Sequence, residues 1–242
     1  LLNEALTKHH YKRRIFIKVN MYDYDAVYWF IGSCIFVRAM YYVVDRTFYT
    51  NVDKYKDLPL FRQMYIQKNI VKSIYLAILT VYATFKIIIP IYKNGIWNTY
   101  TIHRLAALYG SNDFVGLVSV DKLPKTTRIH HIVSTILVFT ALSLDFQESD
   151  IGQAMLVYTM ASAAAYVVNF HLAIRLLFQN SNVERMRYTA GAIYMICCGC
   201  SWSWHLYWAF SRAHFNIYHL MYFLLLGAIV RDDIILMQWL SS

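Results

Sequence analysis

Two adjacent histidines, His130 and His131, stand where the basic, proline-bearing stretch VDKLPKTTR gives way to an apolar run, and Asp113 lies inside the apolar run before it. An imidazole of near-neutral pKa takes a proton from a hydroxyl or amine, or is acylated itself, so the pair could serve acyl transfer from a thioester such as acyl-CoA. Neighbours on a helix diverge by about 100°, so one ring would act and the other orient, unless the site wraps the helix end. The plainer expectation is that both histidines are polar anchors at a helix mouth. Asp113 would then need a structural partner such as Arg104, His103 or a histidine of the next segment.

Positioning these groups falls to membrane helices. The chain of 242 residues is 58% hydrophobic and 15% charged, its mean hydropathy is +0.37, and its apolar residues come in long blocks. An all-α integral membrane protein of six to seven transmembrane helices is expected. The candidate spans are Ala26–Val44, Ile70–Tyr92, Thr99–Val120, Ile129–Leu144, Gly152–Phe178, Tyr188–Phe210 and Ile217–Leu240. The third and last are the least secure, because they carry His103, Arg104, Asn112 and Asp113, and Arg231, Asp232 and Asp233 respectively. The 21 tyrosines suit several water–lipid boundaries. Residues 1–25 form a basic N-terminal segment without the apolar core of a secretory signal, and an organellar presequence remnant is one expectation for it. Residues 26–242 read as one polytopic domain.

A net charge of +9 would suggest nucleic acid in a soluble protein. Here the basic residues sit at the N-terminus and in alternate loops, including Arg62 and Lys68 after the first span, as orientation in a membrane requires. Nucleic acid is therefore not expected as a partner. The run CCGC, Cys197 to Cys200, has the wrong spacing for a zinc pair on a helix, so no metal is expected.

In the fifth span Tyr158, Ser162, Tyr166, Asn169 and Ala173 recur at steps of four, four, three and four, which places them on one helix face. That stripe either bonds across a helix bundle or lines a lipid headgroup pocket; Arg175 marks the interface end of the same helix. Arg231, Asp232 and Asp233 in the last span need partners, and a contact with other membrane subunits is the expectation.

The stretch ALYGSNDFVGLVSVDKLPKTTRIHHIVSTIL resembles the middle of the TLC domain, the fold shared by TRAM proteins and ceramide synthases. The pattern of an aromatic, an Asp, an apolar half-helix, a loop and His-His is met by Tyr109, Asp113, His130 and His131. Asn169 and Arg175 downstream, and Asn69 and Ser73 upstream, also match, so the TLC-like part covers about residues 68–210. The resemblance implies a membrane-embedded cavity that accommodates lipid, with Tyr109, Tyr158, Ser162, Tyr166, Asn169 and Arg175 around it, and residence in the endoplasmic reticulum or another endomembrane. It makes His130, His131 and Asp113 the catalytic candidates and acyl-CoA the candidate substrate, with no resident cofactor. The acids that ceramide synthases carry two dozen residues beyond the histidines are missing; that region reads VYTMASAAAY. The two functional expectations are thus a protein of lipid metabolism or lipid binding, and a non-catalytic transmembrane subunit of a large mitochondrial inner-membrane complex.

Overall fold

The computed structural model describes residues 24–178, 180–211 and 216–242. Residues 1–23 of the basic N-terminal segment lie outside the described residues. Among the described residues the chain is helical, without strands. Helix α1 runs over Tyr24–Asn51, and a short α2 covers Asp53–Lys56. Helix α3, Leu60–Ala83, passes through a π turn at Thr84–Ile88 into α4, Ile89–Asn94. It stops at Gly95, whose φ of 65° is the left-handed conformation that a helix C-terminus favours and a side chain resists. Helix α5, Thr99–Ser119, starts on Asn98, whose side chain accepts the Thr101 N–H at 3.0 Å.

Helix α6 spans Lys125–Ala141, directly after Pro124, and α7 spans Asp150–Ala164. Ser149 caps α7 by accepting the Gly152 N–H at 3.0 Å. The helix breaks at Ala165 and resumes as α8, Tyr166–Leu177. Helices α9, Ser181–Ser211, and α10, Ile217–Ser241, complete the chain. Every segment expected to span is thus helical, the fifth as two pieces.

Among the described residues, three helical stretches are long and apolar enough to cross a membrane: Tyr24–Asn51, Leu60–Asn94 and Asp150–Leu177. That is fewer than the six to seven expected. The remaining helices fall short for identifiable reasons. Helix α6 has only 17 residues; α10 carries three charges together at Arg231, Asp232 and Asp233. Helix α5 mixes Arg104, Asp113, His103 and Asn112 into its apolar sequence, and α9, uncharged after Arg187, is diluted by tyrosines, tryptophans, serines, glycines and His205.

The surface of the bundle is apolar where helices face outward. Ile31, Ile35 and Phe36 of α1, Ile74, Ile78 and Val81 of α3, Ile196, Leu206 and Phe210 of α9, and Leu220 and Leu224 of α10 are all exposed. Meanwhile Lys68, Lys72, Asn112, Asp113 and His131 are buried. Exposed apolar belts with charges inside invert the arrangement of a soluble domain and suit helices set in lipid.

Helix α5 is central: it packs on α1 along one side and on α6 along the other. Three hydroxyls tie the first contact, where Ser33 Oγ lies 2.6 Å from Ser111 Oγ and also meets the Tyr75 hydroxyl, while Ser111 donates to the Leu108 carbonyl at 2.7 Å. Ser33→Ala should cost about 1 kcal/mol in detergent unfolding titrations, the usual net worth of such a bond. A loss under a few tenths would show that the hydroxyls find other partners.

Candidate functional site

Helices α5 and α6 run antiparallel across a short loop, and Gly110 lets their backbones approach. A Cβ built on Gly110 would lie 2.6 Å from Val138 Cγ2. One turn along α5, Asp113 consequently faces His131 and Ser134 of α6. The Asp113 carboxylate accepts a hydrogen bond from Ser134 Oγ at 2.9 Å, and its other oxygen lies 3.1 Å from His131 Nδ1. That imidazole contact is not aligned as a hydrogen bond, and both ring nitrogens of His131 are without one. The carboxylate's main partner comes from α3: the Lys72 ammonium donates to it in a fully buried ion pair.

His130 turns the other way. Its Nδ1 sits 3.3 Å from Asp232 of α10, and the two imidazole rings are 5.7 Å apart at 82° to one another. The divergence expected of adjacent helical residues is therefore present, and each ring has its own carboxylate. Both histidines border one cavity of about 300 Å³. Helix α3 contributes Tyr65, Lys68, Asn69 and Lys72 to its wall, α8 contributes Val168, Asn169, Leu172 and Arg175, and α10 contributes Asp232, Ile235, Leu236 and Trp239. Ala165, where α7 and α8 part, also lines it. Non-helical backbone at membrane depth persists only where protein or a polar cavity covers it, so the break and the cavity belong together.

The stripe on the fifth segment is divided by that break. Above it, Ser162 Oγ pairs with the Tyr109 hydroxyl at 2.8 Å and the Tyr158 hydroxyl donates to Asp233 at 3.2 Å, so these three residues join helices. Tyr109 and Tyr158 border a second, apolar void of about 40 Å³ rather than the histidine cavity; Ser162 reaches the latter. Tyr166 packs against the main apolar core. Below the break Asn169 and Arg175 face the histidine cavity, and the Arg175 guanidinium stacks 4.2 Å from the Trp239 ring centre.

The two acids of the last helix point inward. Asp233 accepts from Tyr194 at 2.7 Å as well as from Tyr158, and Asp232 meets His130, which leaves Arg231 as the exposed charge.

Two wall residues escape a reading of the sequence by span boundaries. Lys68 is not in a loop: α3 begins at Leu60, ten residues before the expected span at Ile70, and Lys68 and Lys72 are both buried within it. The signal was available in Tyr65, Lys68, Asn69 and Lys72, a polar face at helical spacing. Asp113 likewise takes its cation from α3 and not from Arg104, which bonds Asp25 at 2.8 Å, or from His103, whose Nε2 meets the Leu144 carbonyl at 2.9 Å. No protein-family model, no characterised protein and no solved structure matches this chain.

Proposed function

We propose that the protein is a polytopic, TLC-like helical membrane protein that acts in lipid binding or lipid metabolism by holding a membrane lipid in the cavity beside His130 and His131. The carrying observation is the cavity's mixed wall, in which Lys68, Arg175 and the two imidazoles line the same space as Val168, Leu172, Ile235 and Leu236. A lipid presents both kinds of surface, a polar head and apolar chains. On this reading the four less apolar helices also sit in the membrane, their charges turned to the bundle interior as intramembrane charges generally are.

Lipid mass spectrometry on protein purified in mild detergent tests this. Recovery of about one lipid per chain beyond that of a control with matched spans is expected; no excess overturns the reading.

Catalysis of acyl transfer is a second reading, favoured by the 3.1 Å approach of Asp113 to His131 at the cavity wall. Here His131 would take the proton of an acceptor amine or hydroxyl as that group attacks the acyl carbonyl, and would return it to the thiolate released when the C–S bond breaks. Acyl-CoA-dependent turnover that survives His131→Ala in folded protein would remove the histidine from that mechanism.

A further inference from the structure

We propose that the cavity binds a single phosphate-class monoanion, with the Lys68 ammonium as its principal partner; this rests on the lipid-cavity reading and specifies the head that the cavity takes. Lys68 is 3% exposed, and it lines the cavity. Its ammonium has no hydrogen bond or ion pair among the described residues, and the Tyr65 ring is 5.6 Å away. Its stem is held in place by α5, where Lys68 Cε would stand 3.2 Å from a Cβ added at Gly116.

An isolated buried ammonium is costly by several kcal/mol, so an anion is expected to offset it in the working state. The carboxylates within electrostatic reach are Asp113 and Asp232, and each is already engaged, the first by Lys72 and the second beside His130. The permanent cations of the site, Lys68, Lys72 and Arg175, outnumber these two acids by one. One monoanion therefore balances the site.

The donors around the vacancy in that balance favour a tetrahedral oxyanion over a simple carboxylate. Arg175 keeps a buried Nε without an acceptor, in a guanidinium whose central carbon lies 4.2 Å from the Trp239 ring centre, and a guanidinium fork matches phosphate oxygens. Asn169 supplies a neutral donor to the same cavity. A phospholipid head and free phosphate share this chemistry.

Native mass spectrometry of the delipidated full chain in detergent separates the sources, using phosphatidylglycerol, diacylglycerol with identical acyl chains, and inorganic phosphate as probes. The expected result is retention of phosphatidylglycerol at least tenfold above diacylglycerol, lost in Lys68→Met and kept in Lys68→Arg. Phosphate binding that depends on Lys68, without preference between the lipids, supports the anion site and assigns it to free phosphate. Equal retention of both lipids with no phosphate binding overturns the anion site while leaving the cavity reading intact, and so does an unchanged preference in Lys68→Met. Failure to retain either lipid overturns the cavity reading, and if phosphate also fails to bind, both fall. The comparison of the two lipids on the unmodified chain decides the matter even if Lys68→Met does not fold.

Discussion

Lys72→Met should unfold the detergent-solubilised protein at markedly lower denaturant than the unmodified chain, with a loss of about 3–5 kcal/mol. The substitution leaves the Asp113 carboxylate in the bundle without its cation, and uncompensated buried charge is among the most destabilising single changes. His131 and Ser134 remain beside Asp113, but a hydroxyl and an imidazole replace an ammonium poorly. The double variant Lys72→Met, Asp113→Leu removes both charges and should recover most of the loss, because a buried ion pair is worth little more than apolar packing of similar volume. A double-mutant cycle reads the coupling directly. Additive effects of the two single changes would mean that the residues do not stabilise one another.

The second large effect is expected at Gly110. Alanine is the better helix former by about 1 kcal/mol, so a packing-free helix would gain from Gly110→Ala. Here the new methyl would sit 2.6 Å from Val138 Cγ2. Valine in a helix has essentially one rotamer and cannot swing aside, so α5 and α6 must separate. Overpacking of this kind costs about 1–3 kcal/mol, which offsets the propensity gain and leaves a net loss of up to about 2 kcal/mol. Val138→Ala in the same chain should relieve the clash, making the double variant more stable than Gly110→Ala alone. The order Gly110→Ala more stable than the unmodified protein would show that the helices have room to part.

What the sequence conveys about this arrangement follows from which interactions are local. Helix positions were legible because apolar runs bounded by Asn98, Pro124 and Ser149 are properties of a few neighbouring residues. The approach of Asp113 to His131 was legible because the two lie on consecutive helices joined by a short loop, which forces them to be antiparallel neighbours. Lys72 was not, since its partner is 41 residues away on a helix whose adjacency no local pattern specifies. Span counting also misled: a window centred on apolarity begins at Ile70 and assigns Lys68 to the outside, although the helical spacing of Tyr65, Lys68 and Lys72 marks a polar face. The break at Ala165 has no sequence signal of its own, as SAAAY contains neither Gly nor Pro. It arises from packing, and it separates residues that a continuous helix would have aligned. Asp232 and Asp233 similarly met their partners, His130 and the tyrosines 158 and 194, inside the chain.

The ion pair between α3 and α5 also bears on how the chain enters a bilayer during synthesis. Lys68 and Lys72 emerge from the ribosome before Asp113 has been made, so α3 meets the translocation machinery with two ammonium groups and no counter-charge. Each such charge inside a span disfavours release into lipid, by up to about 2.5–3.5 kcal/mol at the span centre on insertion scales. The exceptionally apolar second half of the stretch Leu60–Asn94 can hold the segment at the membrane in the meantime. On the proposed reading, in which α5 also sits in the membrane, this poorly apolar helix brings the carboxylate that neutralises Lys72, so each helix lowers the insertion cost of the other. Biogenesis is then expected to proceed by partitioning of the α3–α5 hairpin as one unit, with α3 retained beside the translocon until α5 arrives.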